Sequence, residues 1–150
     1  VVGATPRLND ALAAIKKLAD GRLCSPGPMQ YAVAAALTGD KSHQVAFRRA
    51  LAERARVTTD SLNAIPGITC VSPRAAFYAM PMVSLPPGRT DEDYVLALLR
   101  ETGVLCVHGS GFGMPPETGS FRIVYLADPN ELRTIYADID AFTRRYLQHA

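Results

Sequence analysis

Apolar residues recur every three or four positions along most of this chain and gather into short uninterrupted runs in only a few places. That pattern predicts helices framing a small sheet. Leu8, Leu12, Ile15 and Leu18 share helical spacing, behind Thr5-Pro6, a hydroxyl cap with proline at the first helical position, and ahead of Asp20-Gly21. After the turn Ser25-Pro-Gly-Pro28, the residues Met29, Ala32, Val33, Ala36 and Leu37 make a short apolar helix closed by Gly39. The longest helix is expected from a cap at Ser42 to about Ala64, stopped by Pro66-Gly67, with Arg48, Arg49, Glu53 and Arg56 in solvent.

The period changes in the middle. Ile68-Thr-Cys-Val71 and Phe77-Tyr-Ala-Met80 read as strands joined by Ser72-Pro-Arg-Ala-Ala76, a hairpin with a long loop, and Pro81 and Pro86-Pro87-Gly88 interrupt regular structure after the second strand. Thr90-Asp-Glu-Asp93 opens a helix with a hydroxyl cap, an acid three residues on, and negative charge where the helix dipole favours it. Tyr94, Val95, Leu98 and Leu99 form its inward stripe, and Gly103 ends it. Val104-Leu-Cys-Val107 and Phe121-Arg-Ile-Val-Tyr-Leu126 are the remaining strands. Asp128-Pro-Asn-Glu131 is a capping-box pattern that starts a last helix, whose stripe of Leu132, Ile135, Tyr136, Ile139, Phe142 and Tyr146 packs on the sheet. The fold class is α+β: a small, mainly antiparallel sheet backed by helices and preceded by helices.

Composition narrows the function classes. A balance of 16 Lys+Arg against 14 Asp+Glu is too even for an electrostatic nucleic-acid footprint. No apolar run reaches membrane-spanning length. Cys24, Cys70 and Cys106 are odd in number and lack CxxC spacing, so they read as small buried hydrophobes in a reducing cytoplasm, with no disulfide framework or metal site. His43, His108 and His149 form no ligand set, and Ser25, Ser61 and Ser110 lack the context of an activated nucleophile. Tyr78 and Tyr125 are expected buried with bonded hydroxyls, and Met29, Met80, Met82 and Met114 as core or loop filler.

Arg122 carries the most chemistry, because a guanidinium inside an apolar strand needs an anionic partner. Its planar fork meets a carboxylate through two parallel charge-assisted hydrogen bonds. From the residue alone that carboxylate is either internal, such as Glu117, Asp128 or Glu131, or belongs to a ligand. The turn Gly109-Ser-Gly-Phe-Gly113 precedes it. A phosphate-binding glycine motif would open a helix, whereas Met114-Pro115-Pro116 comes next here, so the glycines serve positive φ or close packing instead.

The succession of glycine-rich turn, polar loop, strand bearing arginine and terminal amphipathic helix resembles the C-terminal end of the class I/II, fold-type I pyridoxal-phosphate aminotransferases, in particular their alanine aminotransferase branch. Gly21-Arg-Leu-Cys-Ser-Pro-Gly-Pro-Met-Gln30, Ile65-Pro-Gly-Ile68, Pro73-Arg-Ala-Ala-Phe-Tyr78, Glu101-Thr-Gly-Val104, Gly109-Ser-Gly-Phe-Gly113 and Phe121-Arg122 stand in that family's order and spacing. One departure is Ala75, where the family usually has glycine. The resemblance implies that Arg122 grips the α-carboxylate of an amino-acid substrate, with Ser110 and Phe112 lining the pocket.

It implies further that residues 1–40 are a helical segment leading in from a missing N-terminal large domain and 41–150 the C-terminal small domain. The whole would be a cytoplasmic homodimer exchanging amino groups between an amino acid and a 2-oxo acid. The family's cofactor lysine, in a Ser-x-x-Lys context, and its Gly-x-Arg-x-Gly stretch are absent, and the only lysines are Lys16, Lys17 and Lys41. The chain is therefore expected to hold no pyridoxal phosphate and to be inactive by itself, with no catalytic residue and no metal. The alternative is a stand-alone small-carboxylate-binding or regulatory module without cofactor.

Overall fold

The computed structural model describes residues 8–21 and 26–148, so Thr5-Pro6, Cys24, Ser25 and His149 lie outside the described residues. The chain divides into two units, Val1–Ser42 and His43–Ala150. The first contains helices α1 (Asn9–Asp20) and α2 (Gly27–Thr38), and neither helix buries a residue. Leu18, Met29, Tyr31 and Leu37 are all exposed.

The second unit begins within α3 (Ser42–Asn63) and continues through strands β1 (Ile68–Thr69), β2 (Tyr78–Ala79) and β3 (Met82–Val83), helix α4 (Asp91–Thr102), strands β4 (Val107–His108) and β5 (Phe121–Val124), and helix α5 (Pro129–Gln148). Ser42 is the first residue of α3 and not its cap. The Asp40 carboxylate accepts from the Ser42 N–H at 2.9 Å and from its hydroxyl at 2.5 Å. Arg48, Arg49, Glu53 and Arg56 are exposed, as expected for the solvent side of this helix.

Strand pairing differs from the hairpin expected of Ile68–Val71 and Phe77–Met80. β1 pairs with β3, β2 pairs with β5, and β4 lies on the other side of β5, every pair antiparallel, giving a two-stranded and a three-stranded sheet. Pro81, which interrupts the sequence pattern, joins the two. It has no N–H to offer, but its carbonyl accepts from Phe121 N at 3.0 Å, so it occupies a place where only an acceptor is used. Gly119 O accepts from Val83 N at 3.0 Å beside it. Val104–Cys106 lies outside the ladder, and Leu105 is 76% exposed.

Local signals placed the later helices well. Thr90 and Asp93 form the reciprocal capping box, Gly103 closes α4 at φ 78°, and Asp128 accepts from Asn130 N at the start of α5. Tyr94, Val95 and Leu98 from α4 bury with Leu132, Tyr136, Ile139 and Phe142 from α5 against Phe121 and Ile123 of β5. Tyr94 makes edge or tilted ring contacts with Phe121 and Phe142 at 5.4 and 5.5 Å between centroids. Two buried hydroxyl pairs pin α5, Thr58 to Tyr136 at 2.7 Å and Tyr94 to Thr143 at 2.8 Å.

Cys70 and Cys106 are buried free thiols, matching their reading as small hydrophobes. The four methionines are exposed, so of the two readings, core or loop filler, the core one does not hold; Met80 and Met114 lie in loops, Met82 in β3 and Met29 in α2. Burial pushes the Cys106 thiol from 9.0 up to about 12. It pushes the Tyr136 hydroxyl from 10.0 up to about 12, the bond to Thr58 opposing. Above about pH 9 the unfolded chain therefore releases protons that the folded chain keeps, so this contribution to stability is complete below about pH 9 and is lost as pH rises through 12. The unfolding free energy should fall on alkalinisation by about 1.4 kcal/mol per pH unit for each such group between its unfolded and folded pKa, read from denaturant titrations. A flat profile between about pH 9 and 11 would mean that these groups are not protected.

Candidate functional site

Arg122 sits in the middle of the three-stranded sheet, on the side opposite the core. In β5, Phe121 and Ile123 are buried while Arg122 is half-buried and Val124 exposed. Cross-strand pairing puts Val107 opposite Arg122 and Tyr78 opposite Val124, so Tyr78, Val107, Arg122 and Val124 share the outward face. Tyr78 is 38% exposed, which corrects its expected burial, and its ring lies 4.9 Å from the guanidinium carbon of Arg122. Tyr125 is buried as expected, and its hydroxyl donates to Ala76 O at 3.2 Å.

The ring of Phe112 lies closer to Arg122, 4.0 Å from the guanidinium carbon to the ring centroid. Stacking of this kind occupies the faces of the guanidinium and leaves its in-plane N–H edge for hydrogen bonds. None of the ion pairs among the described residues includes Arg122. Glu117, Asp128 and Glu131, the internal partners weighed from the sequence, are all exposed and unpaired with it. A half-buried cation is thus held by two aromatic rings with no carboxylate partner among the described residues.

The turn that carries Phe112 is a short 3-10 segment, Gly109–Phe112, closed by Gly113 at φ 86°. Gly109 is required by packing, because a Cβ there would lie 1.8 Å from the Ser120 hydroxyl oxygen. Ser110 is tied to Asp91: its N–H donates to Oδ2 at 2.6 Å and its hydroxyl to Oδ1 at 2.9 Å. His108 Nδ1 lies 2.8 Å from the Ser110 hydroxyl oxygen and 3.2 Å from the Gly111 nitrogen, so the ring either donates to Ser110 or accepts from Gly111, according to its tautomer. His108 thus has a local role in the turn and faces no other titratable partner in these contacts.

Asp91 was not singled out by sequence reasoning. An acid in the first turn of a helix is ordinarily a solvated complement to the dipole. Only its contact with Ser110, 19 residues on, shows why it is buried. The departure at Ala75 also resolves locally, since the left-handed residue in that loop is its neighbour Ala76, at φ 58°.

A cleft of about 530 Å³ opens at the β4 edge, lined by Val104, Leu105, Val107, Arg122, Tyr136 and Ile139 among others. Arg122 is among its walls, whereas Ser110 and Phe112 are not. Among the described residues no cluster of His, Cys, Asp and Glu is arranged to hold a metal ion. Lys16 Nζ pairs with Asp20 at 2.9 Å, and Lys17 and Lys41 are exposed.

The family model for aminotransferase class I and II matches residues 2–139. The alanine aminotransferase 2-like protein of Danio rerio is 34% identical over 159 residues, covering 93% of this chain and 29% of the relative. The aspartate/prephenate aminotransferase of Cereibacter sphaeroides is 36% identical, covering 88% of this chain and 34% of that protein. The solved structure of the alanine aminotransferase from Pyrococcus furiosus superposes with a TM-score of 0.77 at 36% identity, covering 93% of this chain and 35% of that one. This chain belongs to the class I and II aminotransferase family, and it spans about a third of the length of the relatives it matches.

Proposed function

We propose that this chain is the C-terminal portion of a pyridoxal-phosphate-dependent aminotransferase that moves an amino group between an amino acid and a 2-oxo acid, and that Arg122 holds the substrate carboxylate. The observation that carries this reading is the Arg122 guanidinium, in no ion pair among the described residues and stacked by Phe112 and Tyr78 on the open face of the sheet. A carboxylate arriving there gains two charge-assisted hydrogen bonds from a fork whose orientation is already set. Ser110 and Phe112 then line the pocket, Phe112 by direct contact with the arginine and Ser110 by holding the turn.

The cofactor supplies the electron sink for the transfer. In this reading the chain by itself neither tethers it nor carries out the transfer, which is supported by Lys16 being paired with Asp20 and by Lys17 and Lys41 being exposed. In the same reading residues 1–40 lead in from the large domain and 41–150 are the small domain of a cytoplasmic homodimer. The exposed apolar side chains of α1 and α2 fit a segment that such a larger body covers, and no described helix is long and apolar enough to cross a membrane. Alanine, glutamate and aspartate pairs are all compatible with a site that reads only the carboxylate.

The test is the reading frame upstream of the Val1 codon and the activity of its product. The proposal expects a Ser-x-x-Lys and a Gly-x-Arg-x-Gly before Val1, and amino-group transfer to a 2-oxo acid by the protein made from the whole frame. A start codon directly before Val1 would leave the stand-alone carboxylate-binding module and remove the enzyme.

A further inference from the structure

Asp91 is 1% exposed and takes part in no ion pair among the described residues. Burying a carboxylate without a cation is costly unless its oxygens are fully bonded. Here Oδ1 accepts from the Glu92 N–H at 2.9 Å and from the Ser110 hydroxyl at 2.9 Å, while Oδ2 accepts from the Ser110 N–H at 2.6 Å. The N-terminus of α4 adds a favourable dipole. Beyond its own helix, every bond in this set goes to one residue of the turn.

That residue is two positions before Phe112, which is 48% exposed and so is held in place largely by the turn that carries it. Gly109 is fixed by packing on Ser120, and His108 Nδ1 lies beside the turn, 2.8 Å from the Ser110 hydroxyl oxygen. A path therefore runs from Asp91 through hydrogen bonds to Ser110, along the backbone of the turn to Phe112, and by ring stacking to the Arg122 guanidinium.

We propose that Asp91 is a positioning residue of the carboxylate site: by gripping both donors of Ser110 it sets the turn whose Phe112 closes one face of Arg122. The inference rests on the reading of Arg122 as the substrate-carboxylate arginine. Asp91 does not touch the substrate. Its effect is to keep the guanidinium plane ordered before the carboxylate arrives, which shows in binding and leaves the chemical step alone.

The experiment is a double-mutant cycle in the full-length, cofactor-loaded enzyme, using Asp91→Asn and Phe112→Ala, with KM for L-alanine and the inhibition constant of propionate as readouts. Asparagine keeps the volume but loses one of the two acceptors for Ser110. Asp91→Asn is expected to raise both constants about tenfold, the order of a lost guanidinium–ring contact, with kcat and cofactor content unchanged. In the Phe112→Ala background the same change should add less than about twofold, because the contact it protects is already gone.

Fully additive effects, or a kcat loss at unchanged KM and inhibition constant, would overturn the role of Asp91. If Asp91→Asn does not accumulate as folded protein, Ser110→Ala, which leaves the backbone donor in place, is run through the same cycle and judged by the same rule, with a smaller shift expected. Arg122→Ala separates the two readings. Unchanged constants in that variant remove the carboxylate site altogether, whereas an additive cycle beside an impaired Arg122→Ala removes Asp91 alone.

Discussion

In the full-length enzyme, Arg122→Ala should lower kcat/KM for the amino-acid substrate by about 10²- to 10⁴-fold, mostly through KM, with bound cofactor nearly intact. The magnitude comes from two charge-assisted hydrogen bonds at about 1.5–3 kcal/mol each, discounted because paired bonds to one ligand are not additive. Stability should barely move. The guanidinium is half-buried and makes no ion pair among the described residues, so its removal strands no internal charge. Arg122→Lys should recover only part of the loss, since an ammonium offers neither the fork nor the flat face that Phe112 and Tyr78 contact. Full activity in Arg122→Ala would take this residue out of the site.

Gly119→Ala should do the reverse, destabilising the fold by about 3 kcal/mol or more. Gly119 has φ +64°, and a Cβ there would stand 2.1 Å from the Val83 carbonyl oxygen, an atom of the backbone that cannot swing aside. The same glycine carbonyl accepts from Val83 N, so the clash lies at the seam between the two sheets. Gly113 is the control. Its φ of +86° is also left-handed, but nothing lies within 4 Å of its would-be Cβ, so Gly113→Ala should cost only the conformational term of about 1–2 kcal/mol. Urea denaturation of the two variants compares them directly, and equal losses would show that the contact with Val83 does not matter.

The parts of this fold that sequence made legible are those specified by local chemistry. The Thr90–Asp93 box, Gly103 and the stripe from Leu132 to Phe142 each act within a turn or two of helix, and each stands where its pattern put it. Strand pairing was not legible, because strands of two residues carry no period and Pro81 serves through its carbonyl alone. In the site, Arg122 stood out by being a charge in an apolar run. The stacking of Tyr78 and the burial of Asp91 did not, since both depend on neighbours supplied by distant segments, Arg122 for one and Ser110 for the other. Family resemblance drew attention to Ser110 and Phe112, and the contacts with Asp91 and Arg122 give that attention a physical content.

The two hydroxyl pairs that pin α5 are neutral, and the four ion pairs among the described residues are exposed. Dissolved salt screens exposed charges over a Debye length of about 8 Å at physiological strength and leaves neutral buried bonds alone. The scaffold is therefore nearly blind to ionic strength, while the open guanidinium it carries is not. Salt then becomes a dial that weakens capture of a carboxylate without loosening the body that presents the arginine.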